Sequence, residues 1–152
     1  MKLIAHRGNL SGPDPENENN PSHIQNALDV GVDVEIDVWW SVTENIPYLG
    51  HDEPQYKVSW DFLCQPRLWL HCKNILALEK CKALAVQNPY FWHQDDDVTL
   101  TSNGLFWTYP GKPLTPYSIA VMPEWCAHDP PNIDSAYGIC TDYVLERAGA
   151  SS

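Results

Sequence analysis

Short apolar runs separated by turn formers make up this chain, and their period switches between two and about 3.6 residues. Lys2–His6 is a brief apolar run ended by Gly8, the pattern of a buried strand. Asn9 to Pro21 carries Gly12, Pro13, Pro15 and four Asn with no period, and reads as loop. A helix is expected over about His23–Val30, capped by Ser22, with Ile24, Ala27 and Leu28 on one face and Gly31 at the C′ position. Val32 to Trp40 is the clearest strand: Val32, Val34, Ile36 and Val38 alternate with Asp33, Glu35, Asp37 and Trp39. Glu44-Asn45 marks a turn into a returning strand, Ile46–Gly50.

Leu68–Cys72 is a further strand, followed by a helix over about Asn74–Ala85 whose apolar surface comes from Leu76, Leu78, Ala83 and Leu84. After Tyr90–His93, Val98–Thr101 and Leu105–Thr108 flank Ser102-Asn103-Gly104, a hairpin signal. Ile119–Met122 and Tyr137–Thr141 are the last strand candidates, and Tyr143–Ala148 closes the chain as a helical turn. The early β-α-β order predicts an α/β fold with parallel pairing. Beyond residue 90 the connections are too short for full helices. No repeat or linker divides residues 1–152, so one domain is expected.

Composition narrows the function. Nine basic and 20 acidic residues give a net charge of −11, which excludes a nucleic-acid backbone binder with a basic stripe. No apolar run is long enough for a membrane span, and no export signal follows Met1. The five Cys form no C-x-x-C pair and read as free thiols, in keeping with a cytoplasmic location. Cys126 and His128 lack a second ligand pair at zinc-finger spacing. On length alone, 152 residues exclude an eightfold β/α barrel, which usually needs about 250.

The candidate chemistry gathers at strand ends. Glu35 and Asp37 stand two apart on a strand, so both carboxylates share a face about 7 Å apart. They are either the solvated face of an edge strand or a pair of oxygen ligands for Mg²⁺ or Ca²⁺. His6 ends the first strand and His51 ends the one returning after Asp37. Such a pair suits displacement at phosphorus, one imidazole taking a proton while the other gives one. Arg7 offers a fork for phosphate oxygens. His71 and Lys73 place another ligand and an ammonium on one face of a third strand. Most of the seven Trp are expected in the core, with those at strand ends available to line a pocket. Asp95-Asp96-Asp97 reads as a solvated loop.

Ile4-Ala-His-Arg-Gly8, Pro15-Glu-Asn17, Glu35-Ile-Asp-Val38 and Gly50-His-Asp52 stand in an order and spacing that resembles the glycerophosphodiester phosphodiesterase family. The likeness covers residues 3–52, a third of the chain. Farther on, Leu70-His-Cys-Lys73 stands where that family has E-x-K, so Lys73 matches and His71 replaces a carboxylate. Phe106-Trp-Thr108 and Gly138-Ile-Cys-Thr-Asp142 are similar to its late strands.

The resemblance implies a barrel enzyme of the phospholipase-C-like group that uses a divalent cation to hydrolyse glycerophosphodiesters to an alcohol and glycerol 3-phosphate. By position, His6 and His51 are the acid/base pair, and Glu35 and Asp37 are metal ligands with His71 a third. Arg7, Lys73 and Glu16 bind or orient phosphate and metal. Mg²⁺ or Ca²⁺ is the expected ion, with Mn²⁺ or Zn²⁺ brought in by the softer imidazole. His71 contacting substrate instead of metal stays open. So do phospholipase D-like or glycan phosphodiester cleavage at the same site, and a non-catalytic module that binds a phosphoryl ligand. Seven strand candidates, near Ile4, Ile36, Leu70, Trp92, Trp107, Val121 and Ile139, then reconcile length with fold. The expectation is a reduced TIM-type barrel with several outer helices shortened or missing, and an apolar flank that a second copy would cover as a homodimer.

Overall fold

A computed structural model describes residues 1–150. Ten short strands form one sheet: β1 (Lys2–His6), β2 (Asp33–Trp40), β3 (Pro47–Leu49), β4 (Tyr56–Lys57), β5 (Leu68–Cys72), β6 (Tyr90–Phe91), β7 (Val98–Leu100), β8 (Phe106–Thr108), β9 (Ser118–Val121) and β10 (Gly138–Thr141). Four helices accompany them: α1 (Pro21–Val30), α2 (Trp60–Leu63), α3 (Ile75–Ala83) and α4 (Val144–Ala150).

Strands β6-β5-β2-β1-β10-β9-β8 are all parallel to their neighbours, in that spatial order. β7 adds antiparallel to β8 as the expected hairpin, and β3 and β4 extend antiparallel from the far end of β2. The sheet curls into a part-barrel, and its two ends approach. Ser102 N donates to Tyr90 O (2.9 Å), Thr99 Oγ1 donates to Trp92 O (2.9 Å), and the Phe91 and Trp107 rings stack at 4.4 Å.

Curling gives the sheet an inside and an outside, and β2 is buried on both. Outward, Val34, Ile36 and Val38 pack against Ile24, Ala27 and Leu28 of α1 and Ala77 and Cys81 of α3. Inward, Ile4, Trp69, Phe91, Trp107, Ile119 and Cys140 fill one half of the interior. Glu35 and Asp37 face that interior and are buried at 2% and 0% exposure, so the reading of a solvated edge strand is corrected. A polar face turned into a curled sheet has the same period of two as one turned to water.

Local chemistry fixes the helices. Asn20, not Ser22, caps α1: its side chain accepts from Ser22 N (3.0 Å), and Pro21 takes the first helical position, where its missing N–H costs nothing. Gly31, at φ 101°, ends the helix as expected. Helix α3 buries Ala77 and Cys81 and packs Leu76 and Leu78 against the same core as expected, but Ala83 and, just past the helix, Leu84 are exposed. Past β6 no α-helix covers the sheet until α4, which leaves Val98, Leu100 and Tyr117 exposed on that flank. Among the described residues no helix is long and apolar enough to cross a membrane, and all five thiols are free.

Candidate functional site

Parallel register brings the site together. His6 of β1 pairs with Glu35 of β2, and Asp37 of β2 pairs with His71 of β5, so four polar side chains share the inner face near the strands' C-terminal ends. There His6, Glu35 and His71 meet a cavity of about 270 Å³ that Arg7, His51 and Lys73 also line, with Asp37 buried behind them. A larger groove of about 630 Å³ holds Cys126 and His128. Among the described residues, however, the only cluster of three potential metal ligands is Glu35, Asp37 and His71, whose ligand atoms lie within 4.8 Å of one another.

Asp37 is the hub. Asn19 Nδ2 donates to its Oδ2 (2.9 Å) and Asn19 Oδ1 accepts from its backbone N (2.9 Å), a reciprocal clamp. Arg7 Nε lies 3.0 Å from the same Oδ2, while Lys73 Nζ lies 3.7 Å and His71 Nδ1 3.2 Å from Oδ1. Burial alone would push this carboxyl up, but His71, Arg7 and Lys73 outweigh it and hold Asp37 well below the usual carboxylate range. Arg7 N–H donates to Glu35 O (2.9 Å) as the chain leaves β1, and a left-handed backbone at Arg7, φ 53°, then turns the chain out of the strand. Its Nη1 donates to Glu18 Oε2 (2.9 Å).

His71 stands between two acceptors. Its Nε2 faces the His93 carbonyl at 2.8 Å and must donate, which turns Nδ1 towards Asp37 Oδ1 and Glu35 Oε1 (3.5 Å). A bare Nδ1 lone pair there would face two carboxylates, so a proton or a cation has to lie among the three. Without metal it is a proton: burial works downward, yet Asp37 and Glu35 raise the His71 pKa to about 9.

His6 Nδ1 donates to Asp142 Oδ1 (2.8 Å), which also accepts from Asn9 Nδ2 (2.8 Å), leaving His6 Nε2 for the cavity. Against the downward effect of burial, Asp142 and Glu35 keep the His6 pKa above its ordinary value. His51 is more open, its side chain 45% exposed, with Nδ1 paired to Asp52 (2.8 Å). The loop that carries it is fixed from behind. Trp39 Nε1 donates to Gly50 O (2.7 Å), and Gly50 N donates to Asp37 O (3.2 Å).

The structure thus brings together His6, Arg7, Glu35, Asp37, His51, His71 and Lys73. It leaves out Glu16, which is exposed and outside the cavity lining. The dipeptide Glu-Asn occurs twice in succession, and the second copy, Glu18-Asn19, reaches Arg7 and Asp37. Sequence reasoning also missed Asn9, Asp142 as the partner of His6, and His93, whose ring lines the cavity while its carbonyl orients His71.

Compared with known proteins, the chain matches no family model, no curated protein and no solved structure at a significant level. The site therefore has to be judged on its own chemistry. Glu35 Oε2 is buried without a hydrogen-bond partner, and Asp37 Oδ1 has no aligned one, a costly state for carboxylates unless something binds them. Two carboxylates and an imidazole whose far nitrogen is anchored by a carbonyl are a donor set that fits a divalent cation.

Proposed function

We propose that this chain is a metal-dependent phosphodiesterase that hydrolyses a glycerophosphodiester-like small molecule by His/His acid–base catalysis. In this reading the part-barrel is a reduced TIM-type barrel working in the cytoplasm, and its ligands enter at the C-terminal strand ends, as such barrels favour. One observation carries the proposal: His6, His51, Arg7 and Lys73 line a single cavity together with Glu35 and His71, which form a cluster with the buried Asp37. In a chain of net charge −11, a phosphodiester anion needs local positive potential. Lys73 and the Nη2 of Arg7, whose other nitrogens are engaged, supply it.

Glu35, Asp37 and His71 would hold the ion, Mg²⁺ or Ca²⁺ by the carboxylates and Mn²⁺ or Zn²⁺ if the imidazole dominates. When bound, it supplies Lewis-acid polarisation of a non-bridging phosphoryl oxygen. The proton transfers belong to the histidines. His51 accepts the proton of the attacking hydroxyl, from water or from the substrate, as the new P–O bond forms. His6, whose charged form Asp142 favours, gives the Nε2 proton to the departing alcohol oxygen as the old P–O bond breaks.

The test is hydrolysis of a glycerophosphodiester and of an aryl phosphodiester with Mg²⁺, Ca²⁺ or Mn²⁺, beside His6→Ala and His51→Ala. Each substitution is expected to lower turnover about 10²- to 10⁴-fold. Turnover no greater than that of His6→Ala overturns the proposal. Tight binding without product would make the protein a phosphoryl-ligand module.

A further inference from the structure

His6 takes its orientation from Asp142, and Asp142 has to be held in turn. It lies just past the end of β10, where the next residues leave the sheet for α4. The backbone groups there are orphaned unless something outside the ladder binds them. The binder is Glu124. Its Oε1 accepts from the Asp142 backbone N (2.9 Å) and from Thr141 Oγ1 (2.8 Å), and that hydroxyl accepts in turn from Tyr143 N (3.0 Å). One carboxylate oxygen therefore pins three consecutive residues. On the other side, Gly12 N donates to Asp142 O (2.8 Å), so the peptide units flanking Asp142 are both fixed.

Placing Glu124 there costs stability. It sits in a single 3₁₀ turn, Pro123–Trp125, entered through Met122 at φ 45° and ψ 54°, a left-handed conformation that a buried, long side chain rarely adopts. Its second oxygen, Oε2, is buried without a hydrogen-bond partner. A left-handed entry and an unpartnered buried oxygen are strain of the kind that concentrates at functional sites, even with the charge of Arg147 nearby.

We propose that Glu124 is a positioning residue for His6, acting through the Asp142 backbone to fix the carboxylate that holds the imidazole; this rests on the reading of His6 as the acid of the cavity. Glu124 touches no substrate. Its effect is to keep the Asp142 carboxylate aimed at His6 Nδ1, so that Nε2 stays directed at the cavity. Misplacing a reacting group by about 1 Å costs on the order of 10²-fold in rate.

Proton NMR of the imidazole N–H groups, assigned with His6→Gln, reads this arrangement without any assay of turnover. The wild-type chain is expected to show a downfield, slowly exchanging His6 Nδ1–H signal. Glu124→Ala loses that signal, and kcat falls about 10- to 100-fold with KM little changed. Glu124→Gln, which keeps an accepting oxygen, restores both. A Glu124→Ala chain that retains the His6 signal overturns the proposal, and so does one with undiminished kcat. If the alanine variant does not fold, Glu124→Met, which keeps the volume, is read the same way. If that chain also fails to fold, Glu124 is merely structural and the proposal is wrong. A wild type that shows the signal but hydrolyses nothing defeats the phosphodiesterase reading and leaves the Glu124–Asp142–His6 linkage standing.

Discussion

Cation uptake by Glu35, Asp37 and His71 is expected to expel one proton, and the size of that effect follows from the contacts of His71. Its Nδ1 lies 3.2 Å from Asp37 and 3.5 Å from Glu35, and although burial works the other way, those carboxylates raise its pKa to about 9. At pH 7 the imidazole is then about 99% protonated, two units below its pKa. A cation must displace that proton, which costs about 2.7 kcal/mol, or about 100-fold in apparent affinity relative to pH 9. Titration calorimetry with Mn²⁺ in buffers of different ionisation enthalpy counts the protons. Close to one per ion is expected at pH 7, with affinity rising about tenfold per pH unit until it levels near pH 9. His71→Glu replaces the imidazole with a third carboxylate, so it is expected to abolish the proton release near neutrality and tighten Mg²⁺ and Ca²⁺. Ion binding to the wild type without proton release would remove His71 from the ligand set. No binding at millimolar ion and pH 9 would refute the metal reading outright, making the imidazolium itself the partner of the two carboxylates.

The same group sets the pH dependence of the metal-free fold. Because its folded pKa is raised above the ordinary 6.5, His71 contributes fully below that value, and the contribution, at most about 3 kcal/mol, is lost as pH rises through about 9, measurable as a falling midpoint in urea titrations. Glu18→Ala is expected to cost about 1–3 kcal/mol because it strips acceptors from Arg7 and Asn9, whereas Glu16→Ala stays within about 0.5 kcal/mol; equal effects in denaturation would show that the second Glu-Asn has no special place. Trp39→Phe removes the donor to Gly50 O, and about 1 kcal/mol of stability with it, but lowers turnover further because the His51 loop loosens; an unchanged kcat counts against that clamp. Gly50→Ala would place a Cβ 2.0 Å from Glu53 O, so the loop must move, and loss of turnover with a retained far-ultraviolet dichroism spectrum is the expected result.

The residues of the site were legible because strand ends and alternation are local signals. Parallel register then does the rest: once β1, β2 and β5 are neighbours, His6, Glu35, Asp37 and His71 must share a face. Their supports were not legible, because each depends on a contact across the fold. Asp142 lies 136 residues from His6, and His93 reaches His71 through its backbone rather than a recognisable side-chain motif. The Glu16-Asn17 reading failed for a different reason. Two identical dipeptides follow each other, and only the shape of the loop after β1 decides which one folds back onto Arg7 and Asp37. The cap of α1 moved to Asn20 because Pro21 can open a helix, which lets the helix start before Ser22.

The inner face of β2 shows where stability yields to chemistry. Asp33, Glu35 and Asp37 occupy three successive inward positions that in most curled parallel sheets would be apolar, and all three are buried. Asp33, at the N-terminal end of the strand, is matched: Trp69 Nε1 donates to it (2.9 Å) and Lys2 Nζ lies 3.4 Å away. Asp37, at the open end, is surrounded by Arg7, Asn19, His71 and Lys73. Glu35, between them, keeps one oxygen without a hydrogen bond although it is the most central of the three. Had these carboxylates served only to hold the sheet together, the middle one would be the easiest to satisfy with an indole or amide from β1 or β5. Its neighbours in register are instead His6 and Trp69, and that indole N–H is turned to Asp33. An open carboxylate oxygen that shares its cluster with Asp37 and His71 leaves lone pairs facing one point, and this is what supports the proposed cation over a purely structural role.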